Sequence, residues 1–357
     1  MNKSNLRKQV VGILKRLGIA GVLKSAIDVL NLIRGGLNYS LSGRTPEYAY
    51  HSMVRLFCVT QGMSNDFMSW LVSLKRRPYS LPKSNGILGS MTPDKTQSVL
   101  EDLEKKGYHV FAEKLPEDLC TALLNYGYQM ESMVRPLSGQ KGAAPIVKTT
   151  YQAQSPIGVR YDFSPTALLS TPEVQKIISD YSLLAVAQAY LKAQPVLDIV
   201  TMWWHTAFQK TPDKDAAQYF HFDMDRLRWV KFFFYITDVA PTNGPHCFVA
   251  KSHRSKGIPK KLLEKGYSRL DDEEVFAHYS QEDLVEFSAP RGTIIAEDTR
   301  GLHKGKHVET GDRLVFQLQF CNSLFGAPLQ SGRLENLRCA DLENRIRENP
   351  GIYKLYS

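Results

Sequence analysis

The sequence predicts an α+β protein in which a helical first half precedes a mainly β core, a sandwich or barrel. Three observations carry that prediction. Up to about residue 192 the apolar residues recur at helical spacing behind capped or proline-marked starts. From Val196 onward they fall into short alternating or wholly apolar runs with turns between them. The two patterns do not interleave, which argues against a doubly wound parallel sheet. With 357 residues, 43% of them hydrophobic and 23% charged, the chain has the length and composition of a globular protein with a full core.

Taken in order, residues 5–34 set Val10, Ile13, Leu14, Leu17, Leu23, Ile27 and Leu30 at helical spacing with basic residues between them. Gly12, Gly18 and Gly21 each weaken such a helix by roughly 0.8–1 kcal/mol relative to Ala, so a break is expected near residue 20. Lys15-Arg16 interrupts the apolar run that a secretory signal needs. A basic amphipathic helix of this kind either lies on an anionic membrane surface or packs on the domain with its charges in water.

A helical region is expected over 46–76, then the loop "KRRPYSLPKSNG". Thr92 caps and Pro93 opens the next helix, which Gly107 stops. "YHVFAEKL" reads as a strand, Pro116 starts a helix to about Met133, and a long helix runs from about Pro172 to Lys192. The strand-like runs are 196–208, 217–223, 229–238, 246–249, 284–288, 292–297, 302–308 and 313–321. The expected organisation is a helical extension over 1–90, a β-rich domain over 91–325 and a helical tail over 326–357 packed on it.

Charge and cysteine usage exclude several classes. Residues 1–46 carry eight basic residues against Asp28 alone, so +7 of the net +9 belongs to this segment and the body is nearly neutral. No basic stripe with interleaved aromatics recurs later, which argues against nucleic acid as a partner. Five scattered cysteines without a CxxC pair fit reduced thiols in the cytoplasm better than a disulfide framework or a zinc ribbon. No run of 18 uncharged apolar residues provides a membrane-spanning helix.

The chemistry begins at "FHFDMD". In a strand, residues i and i+2 share a face, so His221 and Asp223 would present an imidazole and a carboxylate side by side. They suit a divalent metal but need a third ligand, and His303 in "EDTRGLHKGKHVETGDRLVFQLQF" is the best candidate. Two histidines and a carboxylate leave three open positions, the arrangement of non-haem Fe(II) oxygenases. Arg313 heads the strand "RLVFQLQF", whose Leu314, Phe316, Leu318 and Phe320 form one apolar face while Arg313, Val315, Gln317 and Gln319 form the other. An arginine on an inner row is costly unless an anion pairs with it. The turn "ETGD" at 309–312 is expected to fold this strand back against the one bearing His303.

With these residues the chain resembles the phytanoyl-CoA dioxygenase-like family of Fe(II)/2-oxoglutarate-dependent oxygenases. The resemblance rests on His221/Asp223, on "KFFFYITDVAPTNGPHCFVAKSHR" (231–254), on "GTIIAEDTRGLHKG" (292–305) and on Arg313 ten residues beyond His303. It covers about residues 100–325 and leaves 1–90 outside. It implies a double-stranded β-helix, or jelly roll, with flanking helices. It also implies Fe(II) on His221, Asp223 and His303, 2-oxoglutarate on the iron with its far carboxylate on Arg313, and O2 as the second co-substrate. Succinate and CO2 would leave, and a C–H bond of an organic substrate would be hydroxylated. The related halogenases have a small residue where Asp223 stands, so its presence implies hydroxylation.

Gln218, where the family often places a co-substrate contact, and Trp204 with His205 are further candidates for touching 2-oxoglutarate or substrate, against a plain core role. Lys231 lines the cavity or keeps its stem in solvent; His246 has a weaker claim on substrate, His253 fixes a loop, and His307 is expected to be exposed. A substrate of lipid-like or natural-product character is suggested by the N-terminal helix and by the aromatics near Trp203 and Phe232–Phe234. Two alternatives stay open here: a catalytically silent jelly-roll module held at a membrane or partner by its N-terminal helix, and a desaturase or epimerase with the same site. Oligomeric state is not legible.

Overall fold

The computed structural model describes residues 19–81, 84–137, 147–328 and 332–356. The part of the N-terminal helix expected over 5–18 lies outside them, and no break occurs between Ile19 and Ser42, where one was expected near residue 20. From Ile19 a helix runs unbroken to Ser42, through Gly21, Gly35 and Gly36.

Thirteen strands are described: β1 (Asn85–Gly86), β2 (Gly89–Ser90), β3 (Tyr108–Lys114), β4 (Glu131–Val134), β5 (Val147–Thr150), β6 (Arg160–Asp162), β7 (Val196–Thr206), β8 (Trp229–Tyr235), β9 (His246–Val249), β10 (Leu284–Glu286), β11 (Thr293–Glu297), β12 (His303–Gly305) and β13 (Asp312–Cys321). Strands β1 and β2 form a small hairpin. The main sheet has the order β3-β11-β8-β13-β7-β6-β4-β5, and a minor sheet has the order β10-β9-β12. Every pairing in both sheets is antiparallel. Non-consecutive neighbours such as β13 between β7 and β8 are those of a jelly roll, as expected.

Strand alternation divides the main sheet into two faces. Leu314, Phe316, Leu318 and Phe320 of β13 join Met202, Trp204, Phe232 and Phe234 in the largest core, under the helices Glu117–Gln129, Pro172–Ile178 and Tyr181–Leu191. The other face turns Trp203, Phe233, Tyr235 and Val315 toward Phe248 of the minor sheet. A third cluster joins Ala49, Met53 and Phe57 of the helix Glu47–Thr60 to Phe220, Phe222 and Met224. The N-terminal region therefore shares a core with the His221–Asp223 segment. The tail helices Ala340–Glu348 and Pro350–Tyr353 insert Leu342, Ile352 and Tyr353 into the main core.

Several expected boundaries shift for local reasons. The 46–76 region is two helices, Glu47–Thr60 and Met63–Lys75, because Gln61 and Gly62 adopt φ values of 50° and 91°. The 172–192 helix divides at Asp180, whose side chain accepts from the N–H groups of Ser182 and Leu183 and so caps a new helix. The helix after Pro116 ends at Gln129, where the chain extends into β4. Residues 217–223 form no strand, only isolated bridges at Phe220 and His221.

Candidate active site

Although it lies outside a regular strand, the His221–Asp223 segment keeps strand-like alternation because its apolar residues demand it. Phe220, Phe222 and Met224 are fully buried against the helix Glu47–Thr60, which turns His221 and Asp223 the other way. Phe57 stacks on Phe222 with ring centroids 5.5 Å apart. His221 and His303 form an antiparallel bridge, with N–H···O distances of 3.0 and 2.8 Å in the two directions. The Asp223 N–H donates to the Thr299 carbonyl at 2.8 Å.

These backbone bonds gather three side chains. His221 Nε2 lies 3.9 Å from Asp223 Oδ1, and His303 Nε2 lies 3.5 Å from Asp223 Oδ2. One possible ligand atom from each falls within 4.8 Å of the other two. Each imidazole donates from Nδ1 to a carbonyl two residues earlier, Tyr219 for His221 and Gly301 for His303, both at 2.9 Å. That fixes the tautomer and leaves both Nε2 lone pairs free for a metal. Burial is the main cause that depresses both imidazoles below the usual range. Burial would raise the Asp223 carboxyl, but Lys231, His303 and His221 outweigh it and the net shift is downward. Lys231 Nζ sits 2.5 Å from Asp223 Oδ2, buried in the cavity wall.

Arg313 stands across the cavity. It is fully buried, and its Nη2–H donates to His205 Nδ1 at 2.9 Å while His205 Nε2–H donates to the Ala216 carbonyl at 3.1 Å. His205 is thus a neutral imidazole, held well below its usual pKa first by burial and then by Arg313 and Arg160. Nε and Nη1 of Arg313 have no partner among the described residues. A buried guanidinium with open nitrogens is a poor resting arrangement and a good receptor for a carboxylate. Gly305 makes room for it, since a Cβ there would lie 3.2 Å from Arg313 Nη2. The cavity encloses about 430 Å³, and His221, Asp223, His303, Lys231, Arg313 and His205 all line it.

The route by which Arg313 reaches the site differs from the expected hairpin. Strand β12, with His303, pairs with β9 in the minor sheet, whereas β13, with Arg313, lies between β7 and β8 in the main sheet. Residues 306–311 cross between sheets, and the two side chains face each other across the sandwich.

Two expected contacts fail. Trp204 lies on the far face of β7, fully buried, with its indole N–H donating to the Gly127 carbonyl at 3.0 Å and its ring stacked on Tyr151. It is opposite Leu314, while its neighbour His205 is opposite Arg313. Gln218 accepts from the Asp213 N–H at 2.7 Å and lines a separate groove with Asp271, Lys304 and His307. Of the other histidines, His253 is buried and His307 is half-buried.

The structure adds groups that spacing did not single out. His246 Nε2 lies 2.9 Å from Glu297 Oε2, with both side chains buried. Burial pushes Glu297 up to about 8 and His246 down to about 3, so burial disfavours the charged form of each. Arg160 on β6 and Arg135 just after β4 share Asp162, and Arg160 lies over the Trp203 ring 4.5 Å from its centroid. Alternation along β7 separates Trp204 from Trp203 and His205, but only the register against β13 shows which of them face the cavity. No such signal marks Glu297, because every residue of β11 is buried.

A family model described as phytanoyl-CoA dioxygenase matches residues 103–314. No curated protein matches the chain. Among solved structures it is similar to EctD from S. alaskensis with bound Fe, at 18% identity and TM-score 0.45 over 74% of this chain and 87% of that one. HygX from Streptomyces hygroscopicus with nickel and 2-oxoglutarate bound gives 15% identity and TM-score 0.46 over 71% and 94%. The non-heme alpha ketoglutarate dependent epimerase SnoN from nogalamycin biosynthesis gives 15% and 0.44 over 64% and 82%.

Proposed function

The chain belongs to the phytanoyl-CoA dioxygenase family, and from that premise we propose that it is an Fe(II)- and 2-oxoglutarate-dependent oxygenase that hydroxylates a C–H bond of a small organic molecule. The observation that carries this reading is Arg313: a fully buried guanidinium with two unpartnered nitrogens, in the same cavity as two imidazoles and a carboxylate. The donor set fits a ferrous ion and a keto-diacid together.

His221, Asp223 and His303 would hold the metal, and the bound iron, 2-oxoglutarate and O2 would supply the oxidation, with succinate and CO2 released. Arg313 would take the far carboxylate through Nε and Nη1, since His205 already occupies Nη2 and holds the fork in place. Lys231 neutralises Asp223 and fixes its orientation. Phe233 and Trp203 close the wall against water. The cavity volume suits one small organic ligand, and Arg313 is the guanidinium on its wall left open to an anion, since Arg135 and Arg160 share Asp162. Trp204 and Gln218 have no place in the co-substrate site. Under the same reading the protein works in the cytoplasm and touches a membrane peripherally through its N-terminal segment, 5–34, of which the described part belongs to the helix Ile19–Ser42.

The test is succinate release and O2 consumption that need Fe(II) and 2-oxoglutarate together. Loss of metal binding in His221→Ala, with 2-oxoglutarate binding lost in Arg313→Ala, is the expected result. Full turnover by His221→Ala would end this assignment.

A further inference from the structure

Two helices near the N-terminus each leave an apolar stripe exposed to solvent. On the inward side of the helix Ile19–Ser42, Asp28 accepts from Ser52 Oγ at 2.8 Å and pairs with Arg55, Asn31 donates to Ser52, Gly35 rests on Ala49, and Leu32 and Tyr39 pack on the core. Its outward stripe is Leu23, Ile27, Leu30, Ile33, Leu37 and Leu41, at exposures of 50–92%. Those spacings of three and four return to the same azimuth after five turns.

The helix Met63–Lys75 repeats the arrangement, with Met68 and Val72 packed on the core. Asn65 and Ser69 are buried, bonded to the Leu227 carbonyl and the Asn322 amide. Met63, Phe67, Trp70, Leu71 and Leu74 face out at 42–59% exposure. A surface helix on a protein in water normally keeps its outward face polar, and apolar stripes exposed on two such helices mark an interaction site.

Charge identifies what covers it. The exposed ionic groups on these two helices and the segments that follow them include Lys24, Arg34, Arg44, Lys75 and Arg77, while Asp28 is buried in its ion pair and Asp66 is paired with Arg300. Glu47 is the exposed exception. The sequence before residue 19 adds Lys3, Arg7, Lys8, Lys15 and Arg16 and no acid. Two copies meeting through this face would oppose like charges. An anionic lipid surface accepts both the apolar stripe and the cations, and Trp and Phe at its edge suit the headgroup level. No helix among the described residues is long and apolar enough to cross a membrane, so the contact is in the plane of the surface.

We infer that the outward faces of the helices Ile19–Ser42 and Met63–Lys75 together form a docking surface for an anionic lipid bilayer. This deepens the peripheral contact proposed above; it concerns the helical region and does not depend on the metal site.

Flotation of the full chain, without metal or 2-oxoglutarate, tests it on vesicles of phosphatidylcholine alone and of phosphatidylcholine with phosphatidylglycerol. The protein is expected to float with the anionic vesicles, less so at raised salt. Leu30→Glu with Leu37→Glu, and separately Trp70→Glu, should each lower the bound fraction roughly tenfold. All three positions are exposed, and unchanged thermal melting shows that the variants fold. Wild-type protein that floats with neither vesicle, or variants that float like wild type, would overturn the inference. So would a wild-type dimer in sedimentation that these substitutions split, since a second copy would then own the face. Flotation that succeeds where 2-oxoglutarate fails to bind would remove the oxygenase reading and leave this one standing.

Discussion

Arg313 shows how far single residues can be read. Its place at the head of an alternating strand marked it as an inward charge, and the structure places it buried with one nitrogen bonded and two open. An ammonium cannot reproduce that fork, so Arg313→Lys is expected to raise KM for 2-oxoglutarate about tenfold or more, with a smaller effect on kcat, in a steady-state assay. His221, Asp223 and His303 were legible for the same reason, because metal-ligand chemistry restricts the residue types. Trp204 was misplaced because adjacent strand residues face opposite ways, and sequence alone gave no register to choose between it and its neighbours. Trp204→Phe removes a buried N–H···O bond and should cost about 1 kcal/mol in denaturant unfolding, while 2-oxoglutarate affinity measured by calorimetry stays at the wild-type value. A loss of that affinity in a stable variant would return Trp204 to the site.

Elements explain why those residues meet. The apolar β13 face and the capped helices follow from local pattern, so their existence was legible with boundaries off by a few residues. The pairing of β12 with β9 rather than β13 was not, because it is set by contacts distant in sequence. Nor could spacing show that Phe57 supports Phe222, the residue between two candidate ligands. Truncation of a buried phenylalanine leaves a cavity, so Phe57→Ala should cost roughly 3–5 kcal/mol in urea unfolding. It should also weaken metal binding, measured by calorimetry with Mn(II), because the backbone carrying His221 and Asp223 loses its backing. Wild-type metal affinity in a destabilised Phe57→Ala protein would show the helix to be a passive cover.

For the whole molecule, stability against acid is set partly by a buried network behind the site. Asp298 accepts from Arg300 and from the Tyr190 hydroxyl, and Arg300 also reaches Asp66 on the helix Met63–Lys75, which ties three regions together. Burial would raise the Asp298 carboxyl, yet Arg300 holds it down at about 2. A depressed folded-state pKa contributes stability above the unfolded value near 3.9, and that contribution is lost as pH falls from there toward 2. The share is roughly 2 kcal/mol for a group this deeply buried. Melting temperatures by circular dichroism should therefore drop through that window, and Asp298→Asn should flatten this limb while lowering stability at neutral pH. The alternation of helical and strand-like halves foretold the class of fold, but this network joins residues from three separate segments and left no local mark.

The placement of His303 and Arg313 in opposite sheets makes the cavity a caliper. Its jaws are the ligand cluster and the guanidinium, and the packing of one sheet on the other sets their opening. A keto-diacid one carbon shorter or longer than 2-oxoglutarate would grip one jaw and miss the other. Oxaloacetate and 2-oxoadipate should accordingly compete poorly for binding, and equal competition by either would mean that the jaws flex.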